Sequence, residues 1–146
     1  MRIYVASSWR EPRQPVVVDA LRVAGHEVYD FRNPAEGNHG FHWSEIDPNW
    51  EQWGPDQFVE GLRHPLADQG FGFDLRAMQW ADACVHVVPE TAGRSSHLEL
   101  GWCAGTGKLT IILVNASEPE LMYKLADHIV TSIDDVLAPL ELGRPA

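Results

Sequence analysis

Cys84-Val85-His86-Val87-Val88, the turn-rich residues 89–93, and Arg94-Ser95-Ser96-His97-Leu98-Glu99-Leu100-Gly101-Trp102 decide the fold. The first run is short and mostly apolar, as a buried strand requires. Pro89 and Gly93 bound a turn. The last run opens a helical pattern that stops near Gly107, so a helix over residues 96–106 follows the strand and carries Glu99 in its first turn. In an open α/β sheet, ligands bind beyond the carboxyl ends of the strands.

The same alternation recurs on both sides. Ile3-Tyr4-Val5-Ala6 is a strand, and Ser7-Ser8-Trp9-Arg10 is the loop after it. A helix over residues 12–24 places Val17, Leu21 and Ala24 on one stripe and stops at Gly25. Residues 26–31 favour a second strand, and a β-α-β unit implies a parallel pair with a right-handed crossover. Downstream, residues 109–114 form a fully apolar strand, and Ser117-Glu118-Pro119-Glu120 is a capping signature for a helix to about Asp127. Ile129-Val130 reads as a last strand and residues 132–140 as a last helix.

Between these halves the pattern breaks. Residues 32–55 alternate Gly, Pro, Asn and Asp with Phe41, Trp43, Trp50 and Trp53. Loops of this length are uncommon in compact domains and often functional when ordered, and four large aromatics argue for order. A helix over residues 56–63 turns Phe58 and Leu62 inward. Gly70-Phe71-Gly72-Phe73 reads as a turn, and residues 74–81 as a helix with Asp74 at its N-cap. The expected architecture is a single domain over residues 1–146, a three-layer α/β/α sandwich with a five-stranded parallel sheet in the flavodoxin-like order 2-1-3-4-5. The loops at residues 7–13, 89–95 and 115–117 would then meet at one sheet edge.

Composition narrows the function. Eleven Lys and Arg against 21 Asp and Glu leave a net charge of −10, which argues against a nucleic-acid surface. Small anionic ligands remain possible, because local arginines hold a phosphate against the overall sign. No apolar run is long enough for a membrane span, no signal peptide is visible, and a cytoplasmic location follows as the expectation. Cys84 and Cys103 read as buried free thiols, without a Cys-x-x-Cys zinc motif. His39, His42, Glu45 and Asp47 match no metal spacing. Gly105-Thr106-Gly107-Lys108 lacks the rest of a phosphate-binding loop and precedes a strand instead of following one. Receiver domains need an acidic pair after the first strand and flavodoxins a glycine-containing Ser/Thr loop there, and Ser7-Ser8-Trp9-Arg10 supplies neither.

The candidate chemistry collects at the sheet edge. Ser96-His97-Leu98-Glu99 fits a capping box, in which Glu99 only bonds back to the cap amide. The functional alternative is a nucleophilic carboxylate able to attack an anomeric carbon. Asp74 is either a plain N-cap or a group that orients the sugar or passes a proton to a departing base. Ser7, Ser8 and Arg10, with Arg94, Ser95 and Ser96, suit a phosphate or a sugar at helix N-termini. Taken singly, each arginine is a solvated loop residue; two such loops at one edge shift the balance to function. The aromatic loop either stacks a nucleobase or caps a core.

Ile3-Tyr4-Val5-Ala6-Ser7-Ser8-Trp9, Asp74-Leu75, Leu98-Glu99-Leu100-Gly101-Trp102 and Glu120-Leu121-Met122, in this order and spacing, resemble the nucleoside 2-deoxyribosyltransferase family. The resemblance implies cleavage of an N-glycosidic bond of a small nucleoside or nucleotide, with no metal or redox cofactor. It makes Glu99 the nucleophile that forms a covalent glycosyl intermediate, with Asp74 assisting and Tyr4 beside the sugar. Ser7, Ser8, Trp9, Arg10, Asn33, Gly93, Arg94, Ser95, Ser96, Glu120 and Met122 become the substrate-binding set. It also implies a homo-oligomer with shared active sites, Met122 matching a position contributed across the interface. Two departures stand out. Thr91-Ala92-Gly93-Arg94 lacks a further aspartate usual in the transferases, and Glu120 stands where an asparagine is common. Ser8-Trp9-Arg10 is instead similar to the phosphate-holding loop of the family's nucleoside 5′-monophosphate N-glycosidases. A nucleotide-binding module without catalysis is the alternative from a different class.

Overall fold

A computed structural model describes residues 1–91 and 93–143. The chain forms two compact units, Met1–Asp30 together with the chain from Trp80 onward, and Phe31–Gln79.

The first unit is built on five parallel strands: β1 (Arg2–Ala6), β2 (Glu27–Tyr29), β3 (Ala83–Val87), β4 (Leu109–Leu113) and β5 (His128–Val130). Their order is β2-β1-β3-β4-β5, the flavodoxin-like order. The register pairs Tyr4 with Tyr29 and Cys84, and His86 with Ala6 and Ile112. Side chains alternate across a strand, so the two sheet faces differ. Ile3, Val5, Ala83, Val85, Val87, Leu109, Ile111 and Leu113 face the main core. There they meet Val17, Val18 and Leu21 of α1 (Arg13–Val23), and Val136 and Leu140 of α5 (Ile133–Leu142). Tyr4, Ala6, Cys84, His86, Thr110 and Ile112 fall on the opposite face. That face is covered by α4 (Arg94–Gly105), which buries Ser96, Leu100 and Cys103. The result is three layers, α/β/α.

The second unit carries short 3-10 turns at Trp43–Glu45 and Trp50–Gln52, then α2 (Pro55–Leu62) and α3 (Pro65–Trp80). Its aromatics pack on one another. Trp43 makes edge contacts with Phe41 and Trp53, centroids 4.8 and 5.8 Å apart, and lies 6.4 Å from Phe58.

Several expectations need correction. α3 is one continuous helix, so Gly70-Phe71-Gly72-Phe73 is not a turn and Asp74 is not an N-cap but the helix's tenth residue. The reason is packing: a Cβ on Gly70 would stand 2.9 Å from Phe41 Cβ, so this glycine makes room for a ring. Phe58 and Leu62 are about half-exposed on α2 instead of turned inward. The segment after β4 forms only a 3-10 turn, Leu121–Leu125, capped by Glu120, whose Oε1 accepts from the Met122 amide at 3.0 Å. Finally, α4 starts two residues earlier than its pattern suggests. Among the described residues, no helix is long and apolar enough to cross a membrane.

Candidate active site

The start of α4 is set by Gly93. Its φ of +80° lies in the left-handed region that glycine tolerates and other residues resist. A Cβ there would also stand 2.5 Å from Pro89 Cγ and 3.1 Å from Ser8 Cβ. The loop after β3 therefore presses directly on the loop after β1, and the two candidate loops do meet at one edge.

This start changes the meaning of Glu99. Gly93 is the N-cap and contributes no side-chain hydrogen bond, which puts Ser96 at the third helical position and Glu99 at the sixth. A capping box needs its Glu at the third position. Ser96 and Glu99 are thus not a capping box, and Glu99 lies in the second turn instead of the first. The dipole acts mainly within the first turn, so it favours the ionised carboxylate less than a first-turn position would. Glu99 is half-buried. Its charge reaches the sheet: the Cys84 thiol is pushed up by its hydrogen bond to Cys103, by burial, and by the charges of Cys103 and Glu99. Cys84 pairs with Tyr4 in the sheet register. Tyr4 is fully buried, and its ring stacks on Tyr29 at 5.4 Å.

The loop residues divide by direction. Trp9, Arg10, Arg94 and Ser95 are exposed. The serines expected to hold substrate are largely committed inward. Ser7 Oγ donates to Val87 O at 2.8 Å, and Ser8 Oγ accepts from the Arg10 amide at 3.2 Å. Ser96 is fully buried and its Oγ donates to Gly93 O at 2.6 Å. The cause is ordinary: a buried hydroxyl needs a partner, and the carbonyls at the strand and loop ends are the nearest acceptors. Glu120 and Met122 are both exposed, on the turn after β4. Asp74 is half-buried in α3 of the second unit. Asn33 is an exposed residue of the same unit, its Oδ1 3.5 Å from His39 Nδ1.

The sequence reading gave no role to five residues. Arg13, the first residue of α1, ties the sheet edge together: Nε to Glu11 Oε1 at 2.9 Å, Nη1 to Val114 O at 3.1 Å and Nη2 to Val88 O at 2.9 Å. Asn115 Nδ2 also donates to Val88 O at 2.9 Å. His86 and Tyr123 pack around His97, their ring centroids 4.8 and 5.8 Å from it, and His97 Nε2 lies 3.0 Å from Tyr123 Oη. Only His86 announced itself, as a polar residue inside an apolar strand.

A pocket of about 410 Å³ in the second unit, lined by Ile46, Trp53, Gly61, His64 and neighbours, includes none of the candidate residues. Among the described residues, no group of three or more His, Cys, Asp or Glu is placed to hold a metal.

Among the solved structures that share this fold are two enzymes. A 2-deoxyribosyltransferase from Bacillus psychrosaccharolyticus matches with a TM-score of 0.64 and 20% identity, over 93% of this chain and 90% of its own. A CMP N-glycosidase from Clostridium botulinum matches with a TM-score of 0.55 and 17% identity, over 97% and 99%. No family model matches the chain, and no curated protein matches it. At these identities the likeness establishes the fold.

Proposed function

We propose that this protein cleaves the N-glycosidic bond of a nucleoside or nucleotide, with Glu99 as nucleophile. The carrying observation is the half-buried Glu99 in the second turn of α4, clear of any capping box and close enough to Cys84 of β3 for its charge to act there. Its carboxylate attacks C1′, the bond to the base breaks, and the base leaves with the electron pair and takes up a proton. A glycosyl ester of Glu99 remains. A second base or a water then attacks C1′ and releases Glu99, so the anomeric configuration is retained overall. The two structural neighbours, a deoxyribosyltransferase and a CMP N-glycosidase, support the reading.

A second observation favours hydrolysis of a nucleoside 5′-monophosphate. Arg10 and Arg94 are exposed on the two loops that touch, where a guanidinium fork suits a phosphate. The exposed Leu121, Met122 and Leu125, each 60% exposed or more, support the homo-oligomer that the resemblance implies.

The test is a panel of deoxynucleosides, ribonucleosides and their 5′-monophosphates, with and without a free base, followed by chromatography. Base exchange identifies a transferase, and base release from monophosphates alone identifies a glycosidase. Glu99→Gln should lower turnover by about a thousandfold or more. The same variant should still fold cooperatively in urea titration, because Glu99 is no helix cap. A well-folded parent protein that turns over no member of the panel defeats the reading. Tight binding without turnover would identify the binding module instead.

A further inference from the structure

His86 sits near the end of β3, on the sheet face that α4 covers, and is fully buried. An imidazole in such a place is costly unless its nitrogens are used. One is: Nε2 lies 3.0 Å from Ser96 Oγ. The protonation pattern follows by elimination. The Ser96 hydroxyl has one hydrogen, and the 2.6 Å contact with the Gly93 carbonyl consumes it, since a carbonyl has none to give. Ser96 Oγ therefore accepts from His86, so the hydrogen is on Nε2 and Nδ1 is bare. Nδ1 has no hydrogen-bond partner among the described residues, so nothing there would receive a second proton. The rings of His97 and Tyr123 pack against His86 at 4.8 and 5.9 Å.

The chain His86 Nε2–H, Ser96 Oγ–H, Gly93 O links the middle of the sheet to the residue that starts α4. Gly93 also accepts from the Ser96 amide at 3.1 Å. Glu99 lies three residues beyond Ser96 on the same helix, about one turn away. We infer that His86 is a positioning residue, whose Nε2–H acts through Ser96 to hold the Gly93 carbonyl and the first turn of α4, and with them the places of Arg94, Ser95 and Glu99 along the helix. The inference rests on the reading of Glu99 as nucleophile for its effect on turnover; the linkage itself does not.

The experiment uses the full chain and three variants, His86→Gln, His86→Phe and Ser96→Ala. Glutamine keeps an N–H near the Nε2 position; phenylalanine keeps the ring and loses the donor. Nitrogen NMR of the parent protein should show His86 as the Nε2–H tautomer. Exchange of the backbone amides at residues 96–100 should rise about tenfold in His86→Phe and Ser96→Ala and return towards the parent rate in His86→Gln. On whichever panel substrate the enzyme uses, kcat/KM should fall up to about a hundredfold in His86→Phe, and glutamine should restore most of it. An Nδ1–H tautomer, unchanged amide exchange in Ser96→Ala, or a glutamine variant no better than phenylalanine would each overturn the inference. Should His86→Phe fail to fold, Ser96→Ala carries the same test. If the parent protein turns over nothing, the nucleophile reading fails, while the tautomer and the amide exchange still decide the linkage.

Discussion

His86 is a basic group held without charge. Its pKa is pushed down to about 3, first by burial and then by the neighbouring His97. In an unfolded chain it titrates near about 6.5. Between these values the unfolded chain binds a proton that the folded chain refuses, so stability rises with pH across that window and is lost as pH falls through it. The unfolding free energy should drop by as much as about 1.4 kcal/mol per pH unit below about pH 6.5. His86→Gln should flatten that slope, measured by urea unfolding at several acidic pH values. Equal slopes would move the acid sensitivity to other groups. Asp82 acts lower still, since its hydrogen bonds from Arg2 hold its carboxyl at about 2. The candidate residues were unevenly legible. Glu99 and Asp74 stood out as carboxylates near expected helix starts, but their roles turned on where those helices begin. The six residues between β3 and α4 hid the helix start, because a left-handed glycine N-cap leaves no Ser, Thr, Asp or Asn signature.

At the scale of elements, the sheet edge is held by one guanidinium. Arg13 on α1 reaches the carbonyls of Val88 after β3 and Val114 after β4, while pairing with the buried Glu11. Three loops that would otherwise move separately share this fork, and charged hydrogen bonds are the stronger kind. Arg13→Ala should lower the unfolding free energy by about 2–3 kcal/mol in urea titration. Arg13→Lys should recover only part, because an ammonium cannot span the same acceptors as a planar fork. A loss below about 0.5 kcal/mol, the usual size for a surface site, would show that the fork does not hold the edge. Strands were easier to read than helices here. β1, β3 and β4 are apolar runs with clear ends, whereas α3 crosses two glycines that looked like punctuation and instead admit neighbouring side chains.

For the whole molecule, charge and fold pull in different directions. A net charge of −10 repels a phosphorylated ligand at long range, so any affinity for one must be local. Arg94→Ala should raise KM for a nucleoside 5′-monophosphate by about tenfold or more and leave the unphosphorylated nucleoside nearly unaffected. Steady-state kinetics on both substrates checks this, and an equal change in the two would place Arg94 outside the phosphate site. The amino-acid sequence by itself determined the layers, the strand order and the edge at which the loops after β1 and β3 meet. Those features follow from local periods of two and 3.6 residues, together with the handedness of β-α-β crossovers. Only the tertiary structure decided which polar groups at that edge face outward. Ser7 turns to Val87, Ser96 turns to His86, and Arg13 bonds carbonyls 75 and 101 residues away. A buried hydroxyl or guanidinium takes whichever acceptor folding brings within reach, and no local pattern names a partner that far along the chain.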